Sequence, residues 1–491
     1  MTRQIRRLGL VLVALFVVMF AQMTNLQVLQ ADRLAHHPGN TRDAVRDFGS
    51  PRGSMFTVDG REIARSVPNS DTRSKFKWVR EYPARALYSH VIGYFSFTYG
   101  SVGLERTYNA LLAGRKVALT LRRAADLLKD RTVTADLTLT IDDRIQRSAA
   151  AALGRRPGSV VALDPKTGAI LAMVSYPRFD PNPLAGVDQE AVQVAFKQLS
   201  EDPAKPLLAR AYREVYPPGS TFKTITTAAG LGNGSVTADT TYPVIAELPL
   251  PLTNRPLRNF GGRACGGTLA ASFAVSCNTS FARLGLDLGA RVLHDGAVQF
   301  GFTSKPPLDV SPGPVASRFP SVEFFTRNTP ALAQSAIGQG EVAATPLEMA
   351  LVAAGIANGG KVPTPHLLKE ARERRVSGAA EIRGESRSTW TTATSPEVAA
   401  QIRDFMVQVV EVGTGRRAAI AGVAVAAKTG TAQTTNNRAH AWTIAFAPAD
   451  DPLVAVAVIV EDQPEVSSTT GGRVAAPVAR AVMQEALAVR R

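Results

Sequence analysis

Three short clusters in this chain bring together residue types that can do chemistry. The first is Tyr216-Pro217-Pro218-Gly219-Ser220-Thr221-Phe222-Lys223. A serine hydroxyl is a poor nucleophile without a base, and a lysine becomes a base when burial and nearby cations lower its pKa. Pro-Pro-Gly ends the preceding segment and predicts a helix from Ser220. Ser220 and Lys223 are then at i and i+3 on one face, and the free N–H groups of the helix start meet a developing oxyanion. The second cluster is Ser276-Cys277-Asn278. A hydroxyl and an amide two residues apart can face one cleft, Ser276 to relay a proton and Asn278 to hold a substrate carbonyl. The third is Lys428-Thr429-Gly430-Thr431, expected at the end of an alternating strand from Gly422 to Ala427. A cation and two hydroxyls there suit a carboxylate, and Gly430 admits close backbone approach. Taken singly, each cluster has a bland reading as a helix cap, a loop or a surface lysine. Gly422 to Thr429 also nearly spells a phosphate loop, but Ala427 stands where the second glycine is required.

The elements that must hold these clusters read as an α+β layered domain. Ser159 to Asp164 and Ala169 to Val174 form two strands around the turn Pro165-Lys166-Thr167-Gly168. Gly422 to Ala427, Ala441 to Ala447 and Leu453 to Val460 read as strands, and Arg473 to Val489 as a last amphipathic helix. The sheet is thus built from both ends of this unit, with Ala-rich helices inserted between. Upstream, Ala135 to Ile141 alternates as a strand, and Asp142 caps a helix from Asp143 to Leu153 with Ile145, Ala149 and Ala152 on one face. Val58-Asp59-Gly60-Arg61 reads as a hairpin turn.

At 491 residues the chain exceeds what one core holds, so at least two domains are expected. The N-terminus places Arg3, Arg6 and Arg7 before an unbroken apolar run from Leu8 to Ala21, which continues more weakly to Leu29. This predicts a cytoplasmic tail at 1–7 and a retained membrane anchor at 8–29, with the rest of the chain outside. A cleaved signal peptide is the rival reading, and no clean small-residue cleavage site follows the run. Lys and Arg number 56 against 41 Asp and Glu, a balance of +15. Outside the cell, that charge suits an anionic membrane surface or a polyanionic wall rather than nucleic acid. The six histidines show no metal spacing or triad context, and two cysteines exclude a zinc site with three or four cysteine ligands. No cofactor and no metal are expected. Cys265 and Cys277 lie outside by this reading, where a disulfide is permitted and two free thiols are equally compatible.

S-x-x-K, S-x-N and K-T-G in that order, after an export signal, resemble the set found in penicillin-binding proteins and class A β-lactamases. The chain as a whole resembles a class B penicillin-binding protein, a monofunctional peptidoglycan D,D-transpeptidase. Gly103 to Asn109 resembles that family's G-x-E-x-x-[FY]-[ND] element, and Gly158 to Val174 its G-[SA]-V-V-A-[LM]-[DN]-P-x-T-G-x-[IV]-L-A-M run. Gly338-Gln339-Gly340 with Thr345-Pro346-Leu347 is similar to its G-Q-G…T-P-L segment, and Gly471-Gly472 with Ala475-Ala476-Pro477 to its closing element. Gly413-Thr414-Gly415 resembles a loop before the third motif. Arg52-Gly53 through Gly60 is the loosest match and departs from the family at Met55, Thr57, Val58 and Asp59. The short, Ala/Arg-rich chain looks most like the actinobacterial penicillin-binding protein A group.

The resemblance implies a transpeptidase domain at 155–491, with an antiparallel sheet flanked by helices, and an elongated pedestal domain at 30–154. It implies an acyl-enzyme at Ser220, formed on D-Ala-D-Ala stem peptides or on β-lactams. Lys223 would be the base and Ser276 the proton relay, with Asn278 beside them. Lys428, Thr429, Gly430 and Thr431 would bind the substrate carboxylate. A SEDS-type glycosyltransferase and division proteins are implied partners. The motifs leave a D,D-carboxypeptidase and a membrane-anchored, non-catalytic penicillin sensor or scaffold open. A class A β-lactamase is disfavoured, because no E-x-x-L-N element lies between Ser276 and Lys428.

Overall fold

The computed structural model describes residues 2–26, 30, 48–71, 74, 76–114, 134–373, 381–383, 388–434, 438–464 and 469–490. Residues 27–29 of the expected anchor and much of the polar stretch after it lie outside the described residues. Two compact units are present, Met1–Pro51 with Pro68–Trp78, and Arg52–Val67 with Val79–Arg491.

In the first unit, helix α1 (Thr2–Thr24) is exposed from Arg3 to Thr24. Its Arg3–Thr24 stretch is long and apolar enough to cross a membrane. Phe48 and Phe76 meet edge to face with ring centres 5.3 Å apart.

Among the described residues, the second unit contains two large sheets and four two-stranded ones. One has six strands in the order β10-β9-β4-β1-β2-β3, formed by β1 (Met55–Phe56), β2 (Glu62–Pro68), β3 (Trp78–Glu81), β4 (Ala135–Leu139), β9 (Leu368–Glu373) and β10 (Glu381–Arg383). Strand β4 runs parallel to β1, with Met55 opposite Leu137, and antiparallel to β9, with Ala371 opposite Leu137. This sheet therefore draws strands from both sides of residue 154. Beside it, Glu105 is fully buried and shared by two buried arginines. Arg52 donates to its Oε2 at 2.9 Å and Arg80 to its Oε1 at 2.6 Å. Burial pushes the Glu105 carboxyl up, but Arg80 and Arg52 outweigh it and hold it below its ordinary value.

The other large sheet is antiparallel, in the order β11-β12-β13-β5-β6. Its strands are β5 (Gly158–Leu163), β6 (Ile170–Tyr176), β11 (Ala426–Gln433), β12 (Ala439–Ala447) and β13 (Val454–Gln463). Both faces are covered, so these strands are apolar on both sides rather than half polar. Val160, Ala162 and Val456 pack with helix α2 (Asp143–Leu153) and the C-terminal helix α7 (Gly471–Arg490). Val161, Leu163 and Ile459 face the other way, into a core that includes the buried helix α5 (Pro346–Ala357). Asp142 caps α2 by accepting from Arg144 N–H at 2.9 Å. Ala152 is only half-buried, and Gln146 and Ala150 take up the buried face beside Ile145 and Ala149.

Two sequence expectations shift. The strand expected at Gly422 to Ala427 begins at Ala426 and carries Lys428–Thr431 in its interior. Gly422 has φ +72°, and Ile420 bridges to Val423, so the preceding segment is a turn. Alternating Val and Ala do not encode where pairing starts; the register with β12, Lys428 opposite Ile444, decides it. The helix expected from Ser220 opens instead as a 3₁₀ turn, Gly219–Phe222, and helix α3 runs from Lys223 to Gly232.

Candidate active site

The 3₁₀ turn aligns the first cluster. Side chains at i and i+3 eclipse in that geometry, so Ser220 and Lys223 share one face. Gly219 has φ +54° and donates its N–H to Gly338 O at 2.8 Å. A Cβ on Gly338 would lie 2.2 Å from Gly219 O and 2.6 Å from Phe222 Cβ. A Cβ on Gly430 would lie 2.8 Å from Pro218 O. Glycine at these two positions lets the turn sit directly against the G-Q-G segment and strand β11.

The second cluster lies at the start of helix α4 (Asn278–Gln299). Ser276 has φ +62°, a left-handed conformation that few non-glycine residues adopt. Its carbonyl faces Lys223, whose Nζ donates to Ser276 O at 2.7 Å and to Asn278 Oδ1 at 2.8 Å. Strand β11 supplies the third cluster. It is an edge strand, so one side of its backbone is not engaged by the sheet. Lys428 Nζ donates to Ser276 Oγ at 2.8 Å, and Lys223 Nζ reaches the same oxygen at 3.3 Å. Ser276 Oγ thus sits between two lysine nitrogens, from elements more than a hundred residues apart.

Both lysines are fully buried, and neither pairs with a carboxylate among the described residues. Each lies over an aromatic ring, Lys223 over Phe281 at 5.4 Å and Lys428 over Phe273 at 5.5 Å. Burial, and then the neighbouring Lys428, push Lys223 well below its ordinary value of 10.5. Burial pushes Lys428 down to about 7. A neutral Lys223 keeps a lone pair able to accept a proton, and an arriving carboxylate would favour the charged form of Lys428.

The side chains of Lys223, Ser276, Asn278 and Lys428 therefore converge, and Gly430 and Thr431 lie against the turn that carries Ser220. Cys265 and Cys277 are joined in a disulfide, with Cα atoms 5.7 Å apart, next to Ser276 and Asn278. Two polar contributors are absent from the sequence reading of the site. Thr414 Oγ1 lies 2.6 Å from Thr429 Oγ1, and the Gly413-Thr414-Gly415 likeness pointed only at the loop. Asn259 touches the S-x-N segment from a strand-rich excursion, and nothing in its local sequence marks it. Among the described residues, no group of three or more His, Cys, Asp or Glu side chains is placed to hold a metal ion.

Comparison with known proteins agrees with this arrangement. The profile of the penicillin-binding protein transpeptidase domain matches residues 158–484, and that of the penicillin-binding protein A dimerisation domain matches residues 52–136. The chain is 41% identical to the peptidoglycan D,D-transpeptidase PbpA of Mycolicibacterium smegmatis, over 99% of both chains. It is 39% identical to the PbpA of Mycobacterium tuberculosis, again over 99% of each. A solved structure of penicillin-binding protein A from M. tuberculosis, as a β-lactam acyl-enzyme complex, superposes with a TM-score of 0.82 at 39% identity, covering 90% of this chain and 100% of that one. The D,D-transpeptidase domain from Eggerthella lenta gives a TM-score of 0.77 at 34% identity, covering 90% of this chain and 99% of that one. With its three clusters gathered around one serine and its full length matched, this chain belongs to the penicillin-binding protein transpeptidase family.

Proposed function

We propose that Ser220 is the nucleophile with which this chain, a peptidoglycan D,D-transpeptidase that binds β-lactams, forms its acyl-enzyme. The observation that supports this most is the placing of Ser276 Oγ between Lys223 and Lys428, beside the Ser220 turn. Neutral Lys223 takes the proton of Ser220 as Oγ attacks the penultimate D-Ala carbonyl of a stem peptide. The backbone N–H groups of Ser220 and Thr431 receive the oxyanion. Ser276 passes a proton to the amine of the departing D-Ala, and the ester on Ser220 remains. The amine of a neighbouring stem then attacks that ester, Ser220 regains its proton, and the cross-link is closed. Lys428, Thr429 and Thr431 hold the terminal carboxylate of the donor, with Gly430 giving it access. Thr414 orients the Thr429 hydroxyl.

The same reading assigns 1–7 to the cytoplasm, 8–29 to a single-pass anchor, 30–154 to a pedestal and 155–491 to an extracytoplasmic catalytic domain. A SEDS-type glycosyltransferase and division proteins are the proposed partners. The test is mass spectrometry of the protein after exposure to penicillin. The adduct is expected on the peptide carrying Ser220 and is expected to vanish in Ser220→Ala. An adduct elsewhere, or Ser220→Ala that still cross-links lipid-linked stem peptides, would overturn the assignment.

A further inference from the structure

Helix α4 carries Asn278 as its first residue, and its opening N–H groups need acceptors. The residue in the capping position, Cys277, makes no side-chain cap, and its sulfur is committed to the disulfide. The acceptor comes from elsewhere in the chain. Asn259 Oδ1 receives the N–H of Asn278 at 2.9 Å and the N–H of Thr279 at 2.9 Å. Asn259 is only 6% exposed and is itself held at two points. Its Nδ2 donates to Ile245 O at 2.8 Å, and its backbone N–H donates to Ala246 O at 3.0 Å. The adjoining carbonyl, Arg258 O, accepts from Asn278 Nδ2 at 3.1 Å. This leaves Asn278 Oδ1 turned towards Lys223 Nζ, 2.8 Å away.

We infer that Asn259 is a positioning residue for the S-x-N segment: it caps α4 from a distance and thereby aims Asn278 at Lys223. The inference rests on the reading of Asn278 as part of the active site. An asparagine oxygen is among the best caps of helix N–H groups. Here it is supplied across 19 residues of chain rather than locally, so it ties the Thr241–Ile245 and Cys265–Thr268 strand pair to the catalytic constellation. Without it, two N–H groups compete for water, and the backbone at Asn278 loses the contact that fixes its direction. A misplacement on the order of 1 Å in such a constellation costs roughly a hundredfold in rate.

The test is the rate of Ser220 acylation by penicillin, per folded molecule, in four variants of the full chain. Asn259→Ala removes the cap and is expected to slow acylation by roughly ten- to a hundredfold. Asn259→Asp keeps the acceptor for both N–H groups, and a carboxylate suits a helix start. Its second oxygen faces Ile245 O in place of the donating Nδ2, which should lower the melting temperature, while acylation per folded molecule is expected to stay within about threefold of the parent. Ser395→Ala removes the local cap of another helix, Pro396–Glu411, and is expected to lower the melting temperature without slowing acylation. Asn278→Ala is expected to slow acylation at least as much as Asn259→Ala. If Asn259→Asp is as slow as Asn259→Ala, the residue serves the strand pair and the inference fails. It fails too if Asn259→Ala acylates at the parental rate while Asn278→Ala does not. An Asn278→Ala that acylates at the parental rate overturns the site reading and this inference with it.

Discussion

Replacing Glu105 with glutamine tests a buried charge cluster outside the catalytic site. The substitution keeps shape and one acceptor oxygen. It places a donor where Arg80 or Arg52 now finds a carboxylate oxygen, at 2.6 and 2.9 Å. Arg80 and Arg52, each about 3% exposed, then lose the charge of this carboxylate. Removing one partner from a buried ion pair costs about 3–5 kcal/mol. The compact unit holding the cluster has roughly 430 residues, and unfolding entropy is about 2.1 cal/mol/K per residue, so 1 kcal/mol corresponds to about 1 °C. The expected fall in melting temperature is therefore about 3–6 °C at pH 7. The sign with pH follows from the lowered Glu105 value. Its stabilisation is complete above the ordinary carboxylate value of 4.5 and is lost as pH falls through the lowered one. The gap between parent and variant should therefore close in acid. Thermal unfolding followed by circular dichroism from pH 7 to pH 3 reads both effects, and acylation at 25 °C should be unchanged because no active-site group touches the cluster. A shift under about 1 °C at pH 7, or a gap that widens in acid, would refute the argument.

Three further outcomes follow from the site. The maximal acylation rate should rise with pH through the lowered Lys223 value. Lys428→Met removes a nearby cation, eases protonation of Lys223, and should move that limb to higher pH; a limb that stays put or moves down counts against the paired-lysine account. Gly338→Ala places a methyl 2.2 Å from Gly219 O at φ +72°, so it should slow β-lactam acylation by roughly ten- to a hundredfold, and parental kinetics would show that the turn tolerates displacement. Cys265→Ser with Cys277→Ser opens a loop spanning 12 positions; the chain-entropy argument gives about 3 kcal/mol, seen as a melting temperature about 3 °C lower, and an unchanged melting curve would place the stabilisation elsewhere.

By itself, the sequence determined the chemistry and the order of its parts. Ser220, Lys223, Ser276, Asn278 and Lys428 stood out as candidates because three clusters, each bland alone, occur in the order that resembles one acyl-transfer family. Strands β5 and β6 were legible because their apolar run and Pro-Lys-Thr-Gly turn are local signals. The Asp142 cap was legible for the same reason. Tertiary structure decided what local signals cannot carry. Where β11 begins depends on its register with β12. That the six-stranded sheet takes β4 from one side of residue 154 and β9 from the other depends on pairing over more than two hundred positions. The sharing of Ser276 Oγ by two lysines, and the capping of α4 by Asn259, arise only when distant segments meet. The low Lys223 and Lys428 values belong to the same class, because desolvation is a property of the packed site and not of a lysine in a motif.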